Sequence, residues 1–359
     1  MSETVPAAAE VIVGVDTHKH IHAAVAITAL GARLGATTVP ANCKGYRALE
    51  AWVRSLGPVR AFGVEGTGSY GAGLSRFLRE QGHAVLEVNR PNRQLRHRKG
   101  KSDPLDDESA ARAVLGGQAT AVPKSGTGTV EMIRHLKVAR DTAVKARTQA
   151  MLTLKAIIVG APAALREQIE ALSGGKMTLI RHLAALRPGP IASTTASAKT
   201  GLRAIARRWL MLDEEIKGHD AHLEALTAAR APELVQAHGM GAGTAAEMLL
   251  LVGDNPERIR SEAAFAKLCG ACPIPASSGK ATRHRLNRGG DRQANAALYR
   301  VVIVRMRGHK PTLDYVGRRA TEGKSKAEII RCLKRFVARE IFGHLCRTPG
   351  AAPPAQMAA

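Results

Sequence analysis

The chain has 359 residues, 45% of them hydrophobic, which is ample for the cores of two or three domains. Its 53 Lys and Arg residues against 30 Asp and Glu residues give a formal net charge of +23. A charge of this size indicates a polyanionic partner, and nucleic acid is favoured over a membrane surface. The sequence has neither a long unbroken apolar run nor a basic leader-like start, so we expect a cytoplasmic bacterial protein without a membrane-spanning segment.

The first third of the chain alternates short apolar runs with amphipathic stretches. Runs rich in β-branched residues predict strands, and apolar residues at three- and four-residue steps predict helices. The predicted strands are 10–16, 21–28, 36–40, 60–65 and 84–88, and the predicted helices lie around 46–53, 74–81 and 104–115. Hairpin strands followed by strand–helix units predict a mixed α/β sheet with helices on its faces, over a domain from 8 to 122.

Four acids stand at the ends of these predicted elements. Asp16 and Glu65 close two strands, and Asp103 and Asp106 open a helix. Functional residues of such sheets gather at the carboxyl ends of strands, and a spacing of three puts two residues on one face of a helical turn. Oxygen ligands of this kind hold Mg²⁺, so the four acids predict a phosphodiester-cleaving site with two ions about 4 Å apart.

Two other interpretations of these acids stay open at this point. Asp103 before Pro104 is a good helix N-cap, and acids in a first turn favour the helix dipole. An apolar strand ending Gly14-Val15-Asp16-Thr17 also begins actin-like sugar kinases. That fold needs further glycine-rich phosphate loops, which are not evident in the sequence.

The rest of the chain is predicted to be mainly helical. Residues 123–230 predict helical hairpins or an antiparallel coiled coil with Trp209 in its core, which we interpret as a spacer or oligomerisation stalk. A C-terminal domain is predicted over 231–346. It opens with a helix–hairpin–helix-like glycine turn at 239–243, whose backbone N–H groups can meet a DNA phosphate. The Pro- and Ala-rich stretch 347–359 is predicted to be disordered.

Two basic segments are candidates for gripping the phosphate backbone of nucleic acid, because they hold almost no acids. The candidate residues are Arg90, Arg93, Arg96, Arg98, Lys99 and Lys101 in the first segment and Lys280, Arg283, Arg285, Arg288 and Arg292 in the second. Pro275-Ala276-Ser277-Ser278-Gly279 lies just before the second segment. A serine hydroxyl beside cations and a metal can attack phosphorus, although an ST-turn or a helix N-cap also explains these residues.

Six motifs, taken in this order, resemble the insertion-sequence-110 family of transposases, the DEDD transposases, over nearly the whole chain. Three of them are Gly14-Val15-Asp16-Thr17-His18-Lys19, Val64-Glu65-Gly66-Thr67-Gly68-Ser69-Tyr70 and Lys101-Ser102-Asp103-Pro104-Leu105-Asp106. The other three are Phe265-Ala266-Lys267-Leu268-Cys269-Gly270, Pro273-Ile274-Pro275-Ala276-Ser277-Ser278-Gly279 and Arg285-Leu286-Asn287-Arg288-Gly289-Gly290-Asp291.

The resemblance implies a RuvC-like N-terminal domain of the RNase H fold, a helical coiled-coil middle and a C-terminal transposase domain. It implies that Asp16, Glu65, Asp103 and Asp106 bind Mg²⁺. Asp107 is adjacent and is an alternative for the fourth acid.

The resemblance also implies a serine nucleophile that forms a covalent phosphoserine bond to DNA. The family pattern places this serine at Ser278, with Ser277 as the adjacent alternative. Members of the family are RNA-guided recombinases that pair a bridge RNA with target and donor DNA. They assemble as dimers of dimers, in which the serine of one subunit lies near the acids of another.

The leading hypothesis is therefore a Mg²⁺-dependent DNA recombinase that excises and inserts its own element. We expect a homo-oligomer, either dimer or tetramer, that binds DNA and a bridge RNA, associates with the nucleoid and makes no membrane contact. A metal-only junction resolvase is the first alternative, because it needs the acids but no serine. A non-enzymatic nucleic-acid-binding protein, such as a degenerate transposase, is the second.

Overall fold

The computed structural model describes residues 10–88, 103–277 and 284–346, with the backbone alone for 103–107. The chain divides into two units, one made of 1–128 with 252–261 and the other of 129–251 with 262–359. Segment 252–261 joins the first unit through Asn255, whose amide donates to Pro123 O at 3.0 Å and accepts from Ser125 N at 3.0 Å. The predicted domain boundaries stay predictions, and the predicted disordered tail lies outside the described residues.

Within the described part of the chain, no helix is long and apolar enough to cross a membrane.

The first unit is built on one five-stranded sheet. Its strands are β1 (Val11–Thr17), β2 (Ile21–Thr28), β3 (Arg33–Pro40), β4 (Val59–Glu65) and β5 (Val85–Val88). They lie in the order β3-β2-β1-β4-β5, with β1–β2 and β2–β3 antiparallel and β1–β4 and β4–β5 parallel. This mixed sheet confirms the predicted RuvC-like α/β fold class.

The third strand begins earlier than the sequence predicted. The apolar pattern indicated 36–40, but the ladder with β2 already includes Arg33 opposite Ile27 and Gly35 opposite Ala26. Glycine has a weak intrinsic preference for strands, so the local sequence did not indicate this pairing. The start of β3 is set by hydrogen bonding to its partner strand β2.

Helices cover both faces of the sheet because successive strand residues point to opposite sides. One face packs against α1 (Cys43–Leu56) and α2 (Ala72–Glu80), with Val11, Val13 and Val15 of β1 in that core. The other packs against α3 (Asp103–Leu115), with Ile12 of β1 and Ala61 of β4 in that core. The two cores lie on opposite faces of the sheet, and together they fix which side each strand residue faces.

The second unit begins with two long helices that lie side by side, α4 (Thr129–Val159) and α7 (Thr194–Arg230). Arg140 pairs with Asp220 and Arg147 with Asp213, so the two helices run antiparallel. Two short helices between them, α5 (Ala163–Glu170) and α6 (Lys176–Ala185), pack on one end of the pair. Trp209 is 2% exposed in that core, as predicted, while supercoiling of the pair stays a prediction.

The C-terminal part of the second unit is a set of shorter helices with one small hairpin. Its elements are α8 (Pro232–Gln236), α9 (Ala242–Val252), α10 (Glu262–Leu268), β6 (Ile274–Pro275), β7 (His284–Arg285), α11 (Arg292–Gly308), α12 (Lys310–Thr321) and α13 (Lys326–Leu345). A partly buried ion pair ties α11 to α13, because Arg305 donates to both carboxylate oxygens of Glu340 at 2.7 and 2.8 Å. A capping box at Ser325 and Glu328 begins the last helix.

Candidate active site

The sheet brings two of the four predicted acids together. β1 and β4 are parallel neighbours, and Val15 pairs with Val64, so Asp16 and Glu65 follow side by side at the carboxyl edge. The Glu65 residue is 5% exposed, and the Asp16 side chain is 19% exposed. These carboxylates therefore share one partly buried edge, which is where parallel sheets commonly place their chemistry.

Both acids face the side of the sheet that carries α3. Ile12 and Ala61 pack on that side, and side chains repeat their direction every two residues. A Cβ added to Gly63 would lie 2.6 Å from Val114 Cγ2 and 3.0 Å from Ala110 O, so α3 approaches the sheet closely there. Glycine at this position lets the helix lie directly over β4.

The direction of α3 brings its first turn to the same edge. Arg112, near the helix end, donates to Gly31 O at 3.3 Å, and Gly31 follows β2 beside the start of β1. The helix therefore runs opposite to β1, with the turn that holds Asp103 and Asp106 towards the carboxyl ends. Ala110 of α3 lies over Gly63 of β4. Asp106 is one helical turn before Ala110, and Glu65 is two strand residues after Gly63. Each of these two steps is about 6 Å long and leads towards the carboxyl edge of the sheet. The side chains of Asp103, Asp106 and Asp107 are outside the described residues.

The loop after β4 is shaped around the two strand ends. Thr17 Oγ1 donates to Glu65 O at 2.9 Å and ties β1 to β4 directly after the acids. Gly66 has a φ of 62°, a conformation that favours glycine, and its carbonyl accepts from Ser69 N at 2.8 Å. A Cβ on Gly71 would lie 2.7 Å from Glu65 O. Gly66 and Gly71 thus have a defined backbone role, which the sequence pattern did not reveal.

His18 is a second feature that the sequence pattern missed. Its Nε2 lies 3.2 Å from Asp16 Oδ2, and its side chain is 51% exposed. The described part of the chain contains no cluster of three metal-ligating side chains, and only two of the four predicted acids have described side chains. The donors that are described, two carboxylates on adjacent strand ends, fit a hard divalent cation such as Mg²⁺.

The serine motif lies on a hairpin in the second unit. Ile274 pairs with Arg285 and Pro275 with His284 in an antiparallel ladder, and the two serines of the motif lie between Pro275 and His284 in the sequence. Ser277 is exposed. Ser278, Lys280 and Arg283 lie outside the described residues, as do all six candidates of the first basic segment, Arg90, Arg93, Arg96, Arg98, Lys99 and Lys101. Of the remaining candidates, Arg285, Arg288 and Arg292 are exposed, which suits contact with a phosphate backbone.

Amide side chains hold the segment that follows the hairpin against α10. Asn287 Nδ2 donates to Lys267 O at 3.1 Å, and Asn295 Nδ2 donates to Cys269 O at 2.8 Å. Lys334 Nζ of α13 donates to Asn295 Oδ1 at 2.6 Å, and burial lowers the pKa of this lysine. Burial also raises the pKa of the Cys269 thiol to about 12, so this cysteine is a core group and not a thiolate.

Two glycines, Gly270 and Gly290, bring the same two segments together by direct backbone contact. A Cβ on Gly290 would lie 2.2 Å from Gly270 N, and Gly270 itself has a φ of 64°. Asp291 N also donates to Leu268 O at 2.7 Å, and Asp291 then caps α11 by accepting from Ala294 N at 2.8 Å. Asn287, Asn295 and Lys334 were not singled out from the sequence, because only the fold brings them together.

The predicted helix–hairpin–helix turn joins α8 to α9. Gly239 has a φ of 81° and its Cα lies against α11, where an added Cβ would be 3.4 Å from Val301 O. Arg305 Nε donates to His238 O at 2.8 Å and holds the start of the turn. Cβ atoms on Gly241 and Gly243 would meet nothing within 4 Å among the described residues, so the turn is open on that side. Phosphate contact at this turn stays a prediction.

Comparison with known protein families gives two matches in separate parts of the chain. Residues 13–161 match the DEDD transposase model of the IS110 family, described as a transposase. Residues 231–316 match the model described as the transposase IS116/IS110/IS902 family. No curated protein matches the chain. The first match includes Asp16 and Glu65, and the second includes the serine motif. The chain therefore belongs to the IS110 family of transposases, which are DNA-acting enzymes that depend on divalent metal.

Proposed function

We propose that this transposase excises and inserts its own DNA element by Mg²⁺-dependent strand cleavage and rejoining through a phosphoserine bond. The observation that carries the proposal is the placement of Asp16 and Glu65 side by side, on the sheet face that α3 covers. Two carboxylates on adjacent strand ends of one partly buried edge form an oxygen donor set that suits a hard divalent cation. Asp103 and Asp106, from the first turn of α3, complete the proposed ligand set.

The proposed site holds two Mg²⁺ ions, which supply Lewis-acid stabilisation of phosphate charge. Within it, Asp16 and Glu65 are rigid ligands because the β1–β4 ladder and the Thr17 hydroxyl fix their backbones. His18 is proposed to orient Asp16 from the solvent side through its Nε2 contact. Such outer contacts limit the rotamers of a ligating carboxylate and keep it aimed at the metal.

Ser278 is the proposed nucleophile. Its Oγ would attack the scissile phosphorus, so that the Oγ–phosphorus bond forms and the bond from phosphorus to one deoxyribose oxygen breaks. The hydroxyl proton leaves to solvent or a nearby base, and the departing deoxyribose oxygen takes up a proton. Attack by a free DNA hydroxyl on the phosphoserine reverses these changes and rejoins the strand without an external energy source.

The basic residues of 90–101 and 280–292 are proposed to hold the phosphate backbones of the DNA ends and of a bridge RNA. The proposed assembly is a homo-oligomer on the bacterial nucleoid in the cytoplasm. The bridge RNA enters this proposal through the family resemblance alone. The low aromatic content, 3% of the chain, indicates only that base-stacking platforms are not the main device for binding nucleic acid.

The test compares Ser278→Ala with Ser277→Ala in the full-length protein, with Mg²⁺, labelled element-end DNA and its RNA. We expect Ser278→Ala to abolish the protein–DNA adduct on a denaturing gel while DNA binding is retained, and Ser277→Ala to keep the adduct. Loss of the adduct in Ser277→Ala alone would move the nucleophile by one residue. Full strand cleavage with both serines replaced would refute the phosphoserine route and favour hydrolysis by water.

A further inference from the structure

One stretch of the helical region is free of acids. Residues 171–212 contain seven Lys or Arg residues and no Asp or Glu residue. This stretch, called the basic tip below, covers α6 and the first half of α7 and is described throughout. Along the sequence it lies between the two parts of the chain that match the transposase families, and it contains none of the candidate acids and neither candidate serine.

The basic tip is a folded surface, because an apolar core lies directly beneath it. Ile180 of α6 and Leu202 of α7 are fully buried in that core together with Trp209. Lys176 Nζ lies 5.2 Å from the centroid of the Trp209 ring. The charged residues of the tip are therefore carried by packed helices, whose backbones are fixed relative to each other.

Two helices contribute to one cationic patch. Lys199, Arg203 and Arg207 recur every four residues along α7 and so share one face. Arg207 Nε donates to Ala184 O of α6 at 3.2 Å, and Arg181 lies three positions before this contact point on α6. The α7 row spans about 12 Å along the helix axis, a length over which one nucleic-acid strand presents three or four phosphates.

The other half of the same helical pair is built differently. There Lys137 pairs with Glu247, Arg140 with Asp220, and Asp213 with both Arg147 and Lys217. In the described structure Arg181, Lys199 and Arg203 have no ion pair or hydrogen bond to the protein. Like charges one helical turn apart destabilise a helix, so this row has a folding cost that a bound polyanion would remove.

We propose that the basic tip binds the sugar-phosphate backbone of nucleic acid, as a contact separate from the acid site and the serine hairpin. A regular row of cations fits a regular row of phosphates, and contacts to phosphate fix position and orientation without reading the base sequence. Duplex DNA and structured RNA share this backbone chemistry. The tip thus adds affinity and orientation without sequence preference.

The experiment measures binding of the full-length protein to labelled duplex DNA and to a labelled RNA hairpin, over a series of salt concentrations and without divalent metal. The test variant is Arg181→Gln/Lys199→Gln/Arg203→Gln. The control variant is Arg33→Gln/Lys44→Gln/Arg47→Gln, which removes the same charge from exposed residues of the first unit.

We expect the tip variant to bind about tenfold to a hundredfold more weakly than the control at moderate salt. The slope of the logarithm of the binding constant against the logarithm of the salt concentration should also fall in magnitude by about 2 to 3, since each lost phosphate contact lowers it by about 0.9 on duplex DNA. An effect on only one of the two probes would identify which nucleic acid the tip holds. The melting temperature should be unchanged or higher, because like-charge repulsion is relieved. Binding equal to that of the control on both probes would overturn the proposal, and so would weaker binding accompanied by a lower melting temperature.

Discussion

The acids and the serine motif are supported by two opposite kinds of structure. Asp16 and Glu65 end adjacent parallel strands, so backbone hydrogen bonds of the ladder fix their positions. The strands on either side of the serine motif pair over only two residues each, and a ladder this short is not stable by itself. Its support comes from Asn295 and Lys334, which lie on different helices. Rigidity is intrinsic to the sheet edge, whereas the serine hairpin obtains it from long-range packing.

The largest effect is expected from the sheet edge. Asp16→Asn keeps the shape of the side chain and removes the charge that a divalent cation requires. We expect strand cleavage to fall by about a thousandfold or more, since Lewis-acid stabilisation is worth several kcal/mol. The measurement is the rate of cleavage of element-end DNA at saturating Mg²⁺.

A second readout of the same variant does not depend on activity. Added Mg²⁺ should raise the melting temperature of the wild-type protein, because a ligand that binds only the folded state stabilises it, and should leave that of Asp16→Asn unchanged. Glu10→Gln is the matched control, because Glu10 is an exposed acid of the same unit just before β1. Cleavage by Asp16→Asn within tenfold of this control would contradict the proposed metal site.

The same contrast explains how much could be predicted from sequence. Apolar runs rich in β-branched residues predicted the strands and placed Asp16 and Glu65 at their ends, since that pattern is local. The Thr17–Glu65 bond and the Asn295–Lys334 contact could not be predicted, because each joins residues 39 or more positions apart. The sequence did not predict the early start of β3 for a similar reason, since pairing with β2 determines where that strand begins. The acid-free stretch 171–212 is visible in the sequence, but only packing of α6 on α7 turns it into a surface.

The packing contact that supports the hairpin can be disrupted by one substitution, at Gly290. In Gly290→Ala the new Cβ would lie 2.2 Å from Gly270 N and 2.4 Å from Gly270 Cα, and neither backbone atom can rotate away. We expect a loss of about 3 kcal/mol in the free energy of unfolding of the second unit, together with loss of the covalent adduct. Urea unfolding and the denaturing-gel assay measure the two effects.

The neighbouring glycine supplies the control for that variant. In Gly289→Ala the new Cβ would lie 3.5 Å from Asn287 Oδ1, an ordinary van der Waals contact. We expect a change within about 0.5 kcal/mol and an adduct close to the wild-type level. If both variants destabilise equally, backbone approach at 270 and 290 is not what holds the hairpin.

The smallest expected effect concerns a buried histidine behind the sheet edge. His22 of β2 is 0% exposed, and neither ring nitrogen has a hydrogen-bond partner in the described structure. Its ring stacks on Tyr46 with centroids 5.7 Å apart and planes 9° apart. Burial lowers the pKa of His22 below its usual 6.5 and His18 lowers it further, while the backbone of Ile21 and, more weakly, Asp16 oppose the shift. His22 is therefore a neutral core residue of the first unit.

This shift predicts a loss of stability in acid, with a sign that follows from proton binding. Below pH 6.5 the unfolded chain protonates this histidine while the folded protein does not, so stability is complete above that pH and declines as the pH falls below it. His22→Phe keeps an aromatic ring on Tyr46 and should show a smaller drop in urea midpoint between pH 7.5 and 5.5 than the wild type. His20→Gln, at an exposed histidine two residues away, should keep the full drop. Equal acid sensitivity of His22→Phe and wild type would mean that other groups, and not this buried ring, set the acid limit of the sheet domain.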